Sequence, residues 1–287
     1  MNAKNNLIRI TVWNPLGGGS GEHCPTTARK IKAFQQENNP HIAFYLEAPH
    51  GGMDPLPNPD ISKSWRQSFW CGKEIGNPKG ILAVEYDSCG NEIKVTDVKP
   101  AEGKTALGLE VTCNGDVFRI IGVWTSPKKG KSSRPPRCDC RKKDGDPTQA
   151  LYFDVLADIL QHYRDIDFLN PGVPCIVAGD TNVNLSADAR HQEEICAGTC
   201  QANIDGLKEL CKKFGLSFPL PLSKTLSGAA LNTLHDKGRG WYRCDLMMVS
   251  DPSLQVSARL GKPTYEDDCG KIKSDHDPII FEISVTV

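Results

Sequence analysis

Gly240-Trp241-Tyr242-Arg243-Cys244-Asp245 leads into the apolar run Leu246-Met247-Met248-Val249, and further on Ser274-Asp275-His276-Asp277-Pro278 leads into a second apolar run. One carboxylate stands at the head of the first run and an Asp-His pair just before the next. An imidazole acquires a carboxylate on its second nitrogen in this way. An isolated Asp-His dipeptide is usually an ordinary surface pair, so the weight comes from the rest of the chain. Asn14, Glu47 and Asp180 each close a short β-like run. In a two-sheet α/β protein, loops at one end of the sheets bring such residues together. The expected set is Asn14, Glu47, Asp180, Asn182, Asp245, Asp275 and His276.

The runs that deliver these residues are read in chain order. In residues 7–13, Ile8, Ile10 and Val12 share one face and Arg9 and Thr11 the other, the alternation of a strand. Asn14-Pro15 ends it, and Gly17-Gly18-Gly19-Ser20-Gly21 follows without the Lys-Ser/Thr ending of a phosphate-cradling loop. Thr26 or Thr27 can cap a helix to about residue 38. Residues 41–46 predict a second strand with Glu47 at its carboxyl end, broken by Pro49 and Gly51-Gly52. Strands are expected at 69–70, 80–86, 93–98 and 107–112, and Asn114-Gly115 predicts a hairpin into 117–124. A helix is expected from Pro147 to about 163, a buried strand over 174–178 ending in Gly179-Asp180-Thr181-Asn182, and a helix from about 204 to 214. A last strand occupies 278–287. No internal repeat or linker interrupts the order, so the chain reads as a single domain, 1–287.

Length and charge bound the function. At 287 residues the chain can bury one sizeable core. A formal net charge of -1 excludes a global nucleic-acid signature, so any basic face must be local. The densest candidate is the stretch 128–143, where Lys128, Lys129, Lys131, Arg134, Arg137, Arg141, Lys142 and Lys143 face only Asp139. It reads either as a solvated loop or as a phosphate-contacting arm. No apolar run approaches the ~20 residues that span a bilayer, and residues 1–6 carry no apolar leader, so a cytoplasmic protein without membrane contact is expected. The sequence leaves the oligomeric state open. Of the 12 cysteines, Cys175, Cys211 and Cys244 sit in apolar surroundings and read as small hydrophobes. Cys138 and Cys140, and Cys196 and Cys200 after His191, lack a strong zinc-finger spacing.

The strand-end set holds carboxylates for a hard cation, amides to orient or donate, and one imidazole. Mg²⁺ takes one or two carboxylates plus waters and phosphate oxygens. The chain has no Gly-x-Ser-x-Gly elbow. Metal-assisted phosphate ester hydrolysis fits the set best.

The order of these motifs resembles the endonuclease/exonuclease/phosphatase superfamily, the DNase I-like fold, over nearly the whole chain. Trp13-Asn14 resembles its opening strand with a metal-proximal Asn, and Leu46-Glu47 its metal-binding Glu. Gly179-Asp180-Thr181-Asn182 resembles its Gly-Asp-x-Asn, and Ser274-Asp275-His276-Asp277-Pro278 its Ser-Asp-His-x-Pro. Residues 240–245 are similar to the Gly-Trp-Arg-x-Asp region of exonuclease III-type AP endonucleases, with one residue inserted. The resemblance implies a four-layer α/β sandwich, two mixed, mainly antiparallel sheets packed face to face with helices outside. It implies a nuclease that hydrolyses phosphodiester bonds in DNA or RNA with Mg²⁺ or Mn²⁺. Glu47 would ligate the metal, with Asn14 and Asp275 near it. Asp180 would position or deprotonate water, Asn182 would bind the scissile phosphate, and His276, oriented by Asp245, would donate to a phosphate oxygen. Trp124 and, if the basic stretch is a phosphate-contacting arm, Arg141, Lys142 and Lys143 would touch substrate.

Two departures matter. Trp124 stands near where the family places a second catalytic His or Tyr, and an indole N–H can only donate a hydrogen bond. Leu16 stands where AP endonucleases carry an acid, and the inositol-phosphatase pattern is absent around 177–184. The alternatives are therefore a phosphomonoesterase or a lipid or inositol phosphate hydrolase on the same fold, and a non-catalytic binding protein.

Overall fold

The alternation in residues 7–13 forms β1 (Asn6–Trp13), with Ile8, Ile10 and Val12 fully buried on one face and Thr11 and Trp13 on the other. The computed structural model describes residues 6–15, 31, 34–49, 64–72, 79–89, 92–101, 103–125, 147–183, 201–220, 234–236, 240–242, 244–261 and 276–285. The other strands are β2 (Ile42–Pro49), β3 (Trp65–Gly72), β4 (Lys79–Tyr86), β5 (Ile93–Pro100), β6 (Ala106–Cys113), β7 (Asp116–Trp124), β8 (Cys175–Asp180), β9 (Leu234–Asp236), β10 (Gly240–Tyr242), β11 (Asp245–Val249), β12 (Gln255–Leu260) and β13 (Ile279–Val285). The helices are α1 (Pro147–Asp165) and α2 (Gln201–Phe214), and residues 34–38 are also helical.

The strands make two mixed sheets and a short ribbon. The six-stranded sheet runs β12-β13-β1-β2-β4-β3, the five-stranded sheet β11-β8-β7-β6-β5, and β9 pairs β10 alone. Each large sheet has one parallel pair, β1 with β2 and β7 with β8, and every other pairing is antiparallel. Ile10, Phe44, Ile81 and Phe281 from one sheet meet Leu109, Ile120, Ile176 and Met247 from the other in a shared apolar core. Behind the five-stranded sheet, Ile121, Val123, Val177 and Met248 pack on Leu156, Tyr163, Leu207 and Phe214 of α1 and α2. Behind the six-stranded sheet, Trp13, Tyr45 and Val84 pack on Ile31 and Phe34. The result is four layers, helix-sheet-sheet-helix, as expected. Each fully buried Ile or Phe in them contributes about 1.5–3 kcal/mol.

Several expectations are corrected. Strand β2 does not stop before Glu47 but runs on to Pro49, because a bulge between Leu46 and Ala48 absorbs Glu47 without ending the ladder. Strand β12 and the β9–β10 ribbon were not anticipated. The glycine run 17–21, the start of the helix at 26–30, the basic stretch 128–143 and the cysteines at 138, 140, 196 and 200 lie outside the described residues. Cys71, Cys89, Cys113, Cys175, Cys211 and Cys244 are buried, as read for three of them. No helix among the described residues is long and apolar enough to cross a membrane.

Candidate active site

The parallel pairing of β7 with β8 sends both carboxyl ends the same way, so Trp124 and Asp180 are register neighbours. Antiparallel β11 begins at that edge, with Asp245 opposite Asp180. In the other sheet, parallel β1 and β2 deliver Asn14 and Glu47 together, and His276 lies just ahead of β13, β1's antiparallel partner. Topology thus brings together residues at or near the ends of six strands that lie far apart in sequence. The close approach of β7 and β8 needs Gly179. Its φ is 155°, and a Cβ there would lie 1.9 Å from the carbonyl oxygen of Val123.

One half of the site is buried. His276 Nδ1 lies 3.2 Å from Asp245 Oδ2, with His276 only 7% exposed and Asp245 1%. The carboxylate accepts the Nδ1 proton and so fixes the tautomer. The indole N–H of Trp13 donates to the His276 carbonyl at 3.0 Å, which ties the histidine to β1. Asp180 Oδ1 accepts the Asn182 N–H at 2.8 Å, and Asn182 Nδ2 donates to the Thr125 carbonyl at 2.8 Å. Asn182 adopts φ 52°, the left-handed turn that asparagine tolerates. Thr125 donates its N–H to Asp180 O at 3.0 Å and its hydroxyl to Thr181 O. Thr181 donates both N–H and Oγ1 to Cys244 O at 3.0 Å. Burial, then the facing Asp245 carboxylate, push the Asp180 carboxyl up to about 7, against the opposing pull of His276.

The other half joins a buried Asn14 to a partly exposed Glu47. Glu47, at φ 55° on its bulge, presents a side chain 24% exposed. Its Oε1 accepts from Asn14 Nδ2 at 2.9 Å, and Lys79 Nζ stands 2.5 Å from its Oε2. A carboxylate and an amide held side by side are hard oxygen donors, the kind Mg²⁺ prefers. The Lys79 ammonium shows that this carboxylate takes a cation from the open side. The residues present therefore fit a divalent ion at Glu47 and Asn14.

Of the expected residues, Asn14, Glu47, Asp180, Asn182, Asp245 and His276 converge on one end of the sandwich. Asp275, Arg141, Lys142 and Lys143 lie outside the described residues. Trp124 is 8% exposed and packs its ring into the core between the sheets, so little of it is left for a substrate. Lys79, Thr125 and Cys244 neighbour the site without having been expected there. Lys79, between Pro78 and Gly80, looks like turn chemistry, whereas Cys244 stands beside Asp245 in the opening motif and could have been weighed there.

No family model and no curated protein matches this chain. Solved structures do. The chain is similar to D. rerio TDP2 complexed with single-strand DNA product, at 17% identity over 97% of this chain and 99% of that one, with TM-score 0.63. It is similar to the human Nocturnin catalytic domain with bound sulfate anion, at 17% identity over 99% and 98%, with TM-score 0.62. An endonuclease/exonuclease/phosphatase family protein from Bacteroides thetaiotaomicron matches at 14% identity over 99% and 100%, with TM-score 0.60. Two mixed sheets of six and five strands, helices outside both, and these end-to-end likenesses give the chain the DNase I-like fold of the endonuclease/exonuclease/phosphatase superfamily.

Proposed function

We propose that this chain is a divalent-cation-dependent phosphodiesterase acting on nucleic acid, within one domain that spans 1–287. The observation that supports it most is the buried Asp245–His276 pair beside Asp180, tied through Trp13 to the Asn14–Glu47 donor pair. The single-strand DNA product in the TDP2 structure supports the choice of nucleic acid.

Glu47 and Asn14, with Asp275, would hold Mg²⁺ or Mn²⁺, which when bound neutralises charge on the phosphate oxygens. Asp180 is the base. Its raised pKa gives a carboxylate that can take a proton from water near neutral pH. Asn182 spends one amide N–H on Thr125 O, which fixes its plane, and offers the second to the scissile phosphate. Asp245 stabilises His276 as an imidazolium whose Nε2–H donates to a phosphate oxygen as charge builds there. Trp124 is packed away, so His276 carries this role without the family's second His or Tyr.

The test uses single- and double-stranded DNA and RNA, with sugar phosphates, inositol phosphates and sphingomyelin beside them, each with metal and with EDTA. EDTA-sensitive cleavage of a nucleic acid is expected. Cleavage only of monoesters or lipids would replace the substrate class, and no turnover of anything would sink the enzyme reading. His276→Ala should lower the rate by ~10² or more; an unchanged rate removes His276 from the mechanism.

A further inference from the structure

Cys244 is a buried thiol that this mechanism does not use. Its Sγ lies 3.8 Å from Asp245 Oδ2, and its backbone is locked to Thr181. Among the described residues, Asp180, Cys244 and His276 are the one set of three whose ligand atoms could hold a metal, all within 4.8 Å of one another and all buried. We propose that Asp180, Cys244 and His276 form a second cation site, selective for a soft divalent ion and above all Zn²⁺, whose occupancy shuts the proposed catalytic centre.

Donor chemistry separates this site from the one at Glu47. A thiolate sulfur and an imidazole nitrogen favour Zn²⁺, whereas Mg²⁺ takes oxygen donors only. Glu47 and Asn14 supply oxygens; Asp180, Cys244 and His276 supply one oxygen, one sulfur and one nitrogen. The two cations therefore sort between neighbouring sites by softness. In this site His276 would bind the ion through Nε2, with Asp245 holding Nδ1. Zinc-ligating histidines are usually held by a carboxylate on the other nitrogen in this way. The buried carboxylates of Asp180 and Asp245 face each other across the β8–β11 pairing, so a divalent charge held at Asp180 would relieve their repulsion. With Zn–S about 2.3 Å and Zn–N about 2.0 Å, tetrahedral ligand atoms stand about 3.5 Å apart, so the cluster need close by only about 1 Å. Binding would release to solvent the thiol proton and any proton held on His276 Nε2 or the Asp180 carboxyl, and would leave the fourth position to water.

The consequence for turnover rests on the proposed phosphodiesterase reading; the binding does not. Zn²⁺ at this site takes the Asp180 and His276 lone pairs, so added Mg²⁺ at Glu47 cannot restore activity. The test uses the full chain, reduced and stripped of metal. Zn²⁺ affinity is measured by competition with a chromophoric chelator for the native chain and Cys244→Ser, because the chain's 12 cysteines make only the difference informative. Cys244→Ser should lose one tight equivalent, weakened at least tenfold, and Co²⁺ should lose part of its thiolate charge-transfer absorption. His276→Asn, read the same way, serves if Cys244→Ser does not fold. Identical isotherms for the native chain and the folded variant would overturn the site. In parallel, Zn²⁺ inhibition of Mg²⁺-supported hydrolysis of a small diester should need at least tenfold more Zn²⁺ in Cys244→Ser. Unchanged inhibition overturns the shut-off. Loss of the tight equivalent in a chain with no Mg²⁺-supported hydrolysis upholds the site and overturns the phosphodiesterase reading alone.

Discussion

At the scale of the residue, Asp180 is the group whose placement works against folding. Its carboxyl is buried opposite Asp245 and titrates near 7, whereas an unfolded aspartate titrates near 3.8. Between these values the folded chain holds a proton that the unfolded chain has released. Stability is therefore fullest below about pH 4 as far as this group is concerned, and it falls as pH rises towards 7. Asp180→Asn keeps the shape and removes the charge. In EDTA at pH 7.5 the variant should melt a few degrees higher than the native chain, at about 2–4 °C per kcal/mol for a chain near this size. It should hydrolyse nothing. Thermal melts at pH 5 and 7.5 check this: the gap between the two proteins should shrink at the lower pH. A variant that melts lower at both pH values would show that the carboxylate is stabilised by contacts stronger than its burial.

At the scale of the element, two glycines separate conformation from space. Gly115, at φ 97° in the β6–β7 turn, would present a Cβ to open space, whereas a Cβ on Gly179 would collide with the backbone of β7. Gly115→Ala should cost about 1 kcal/mol from the strained φ alone. Gly179→Ala has no room to relax, because the obstacle is a carbonyl in the next strand, and should cost more than about 3 kcal/mol. Urea midpoints of the two variants read the difference; equal midpoints would mean that β7 and β8 can part without loss. The same contrast explains what could be read in advance. Strands with period-two alternation, such as β1 and β13, were legible because one face is wholly apolar. Strand β12 escaped because it is an edge strand: Val256, Ala258 and Leu260 only half-bury against the core, and the other face is solvated. The bulge at Glu47 left no local mark, since a glutamate with positive φ has no sequence signal of its own. Asp245 and His276 were legible as a pair because their types and strand-head positions already imply the hydrogen bond, whereas Lys79 reaches Glu47 only through the β2–β4 register.

At the scale of the whole molecule, a net charge of -1 means that a long nucleic acid must find its cations locally. The stretch 128–143 is the densest source, and it follows β7, whose last residue pairs with Asp180. Replacing Arg141, Lys142 and Lys143 by Ala should lower the slope of log affinity against log salt by ~0.7–0.9 for each phosphate that is no longer neutralised. A small diester should be hydrolysed as before. An unchanged slope on DNA and RNA alike would retire the arm. Chain connectivity sets a second constraint. Strand β1, near the start of the chain, has β13, near its end, as one of its two partners. A ribosome adding about 5–20 residues per second makes β13 roughly 15–60 s after β1. Through that interval Ile8, Ile10 and Val12 lack one of the two strands that flank them, and the β5–β6–β7 meander has no complete opposite layer to close on. The nascent chain therefore leaves that edge of β1 unpaired until β13 has emerged. Pulse-labelled ribosome complexes stalled before β13 should be cleaved by protease within β1, and those stalled well after it should not.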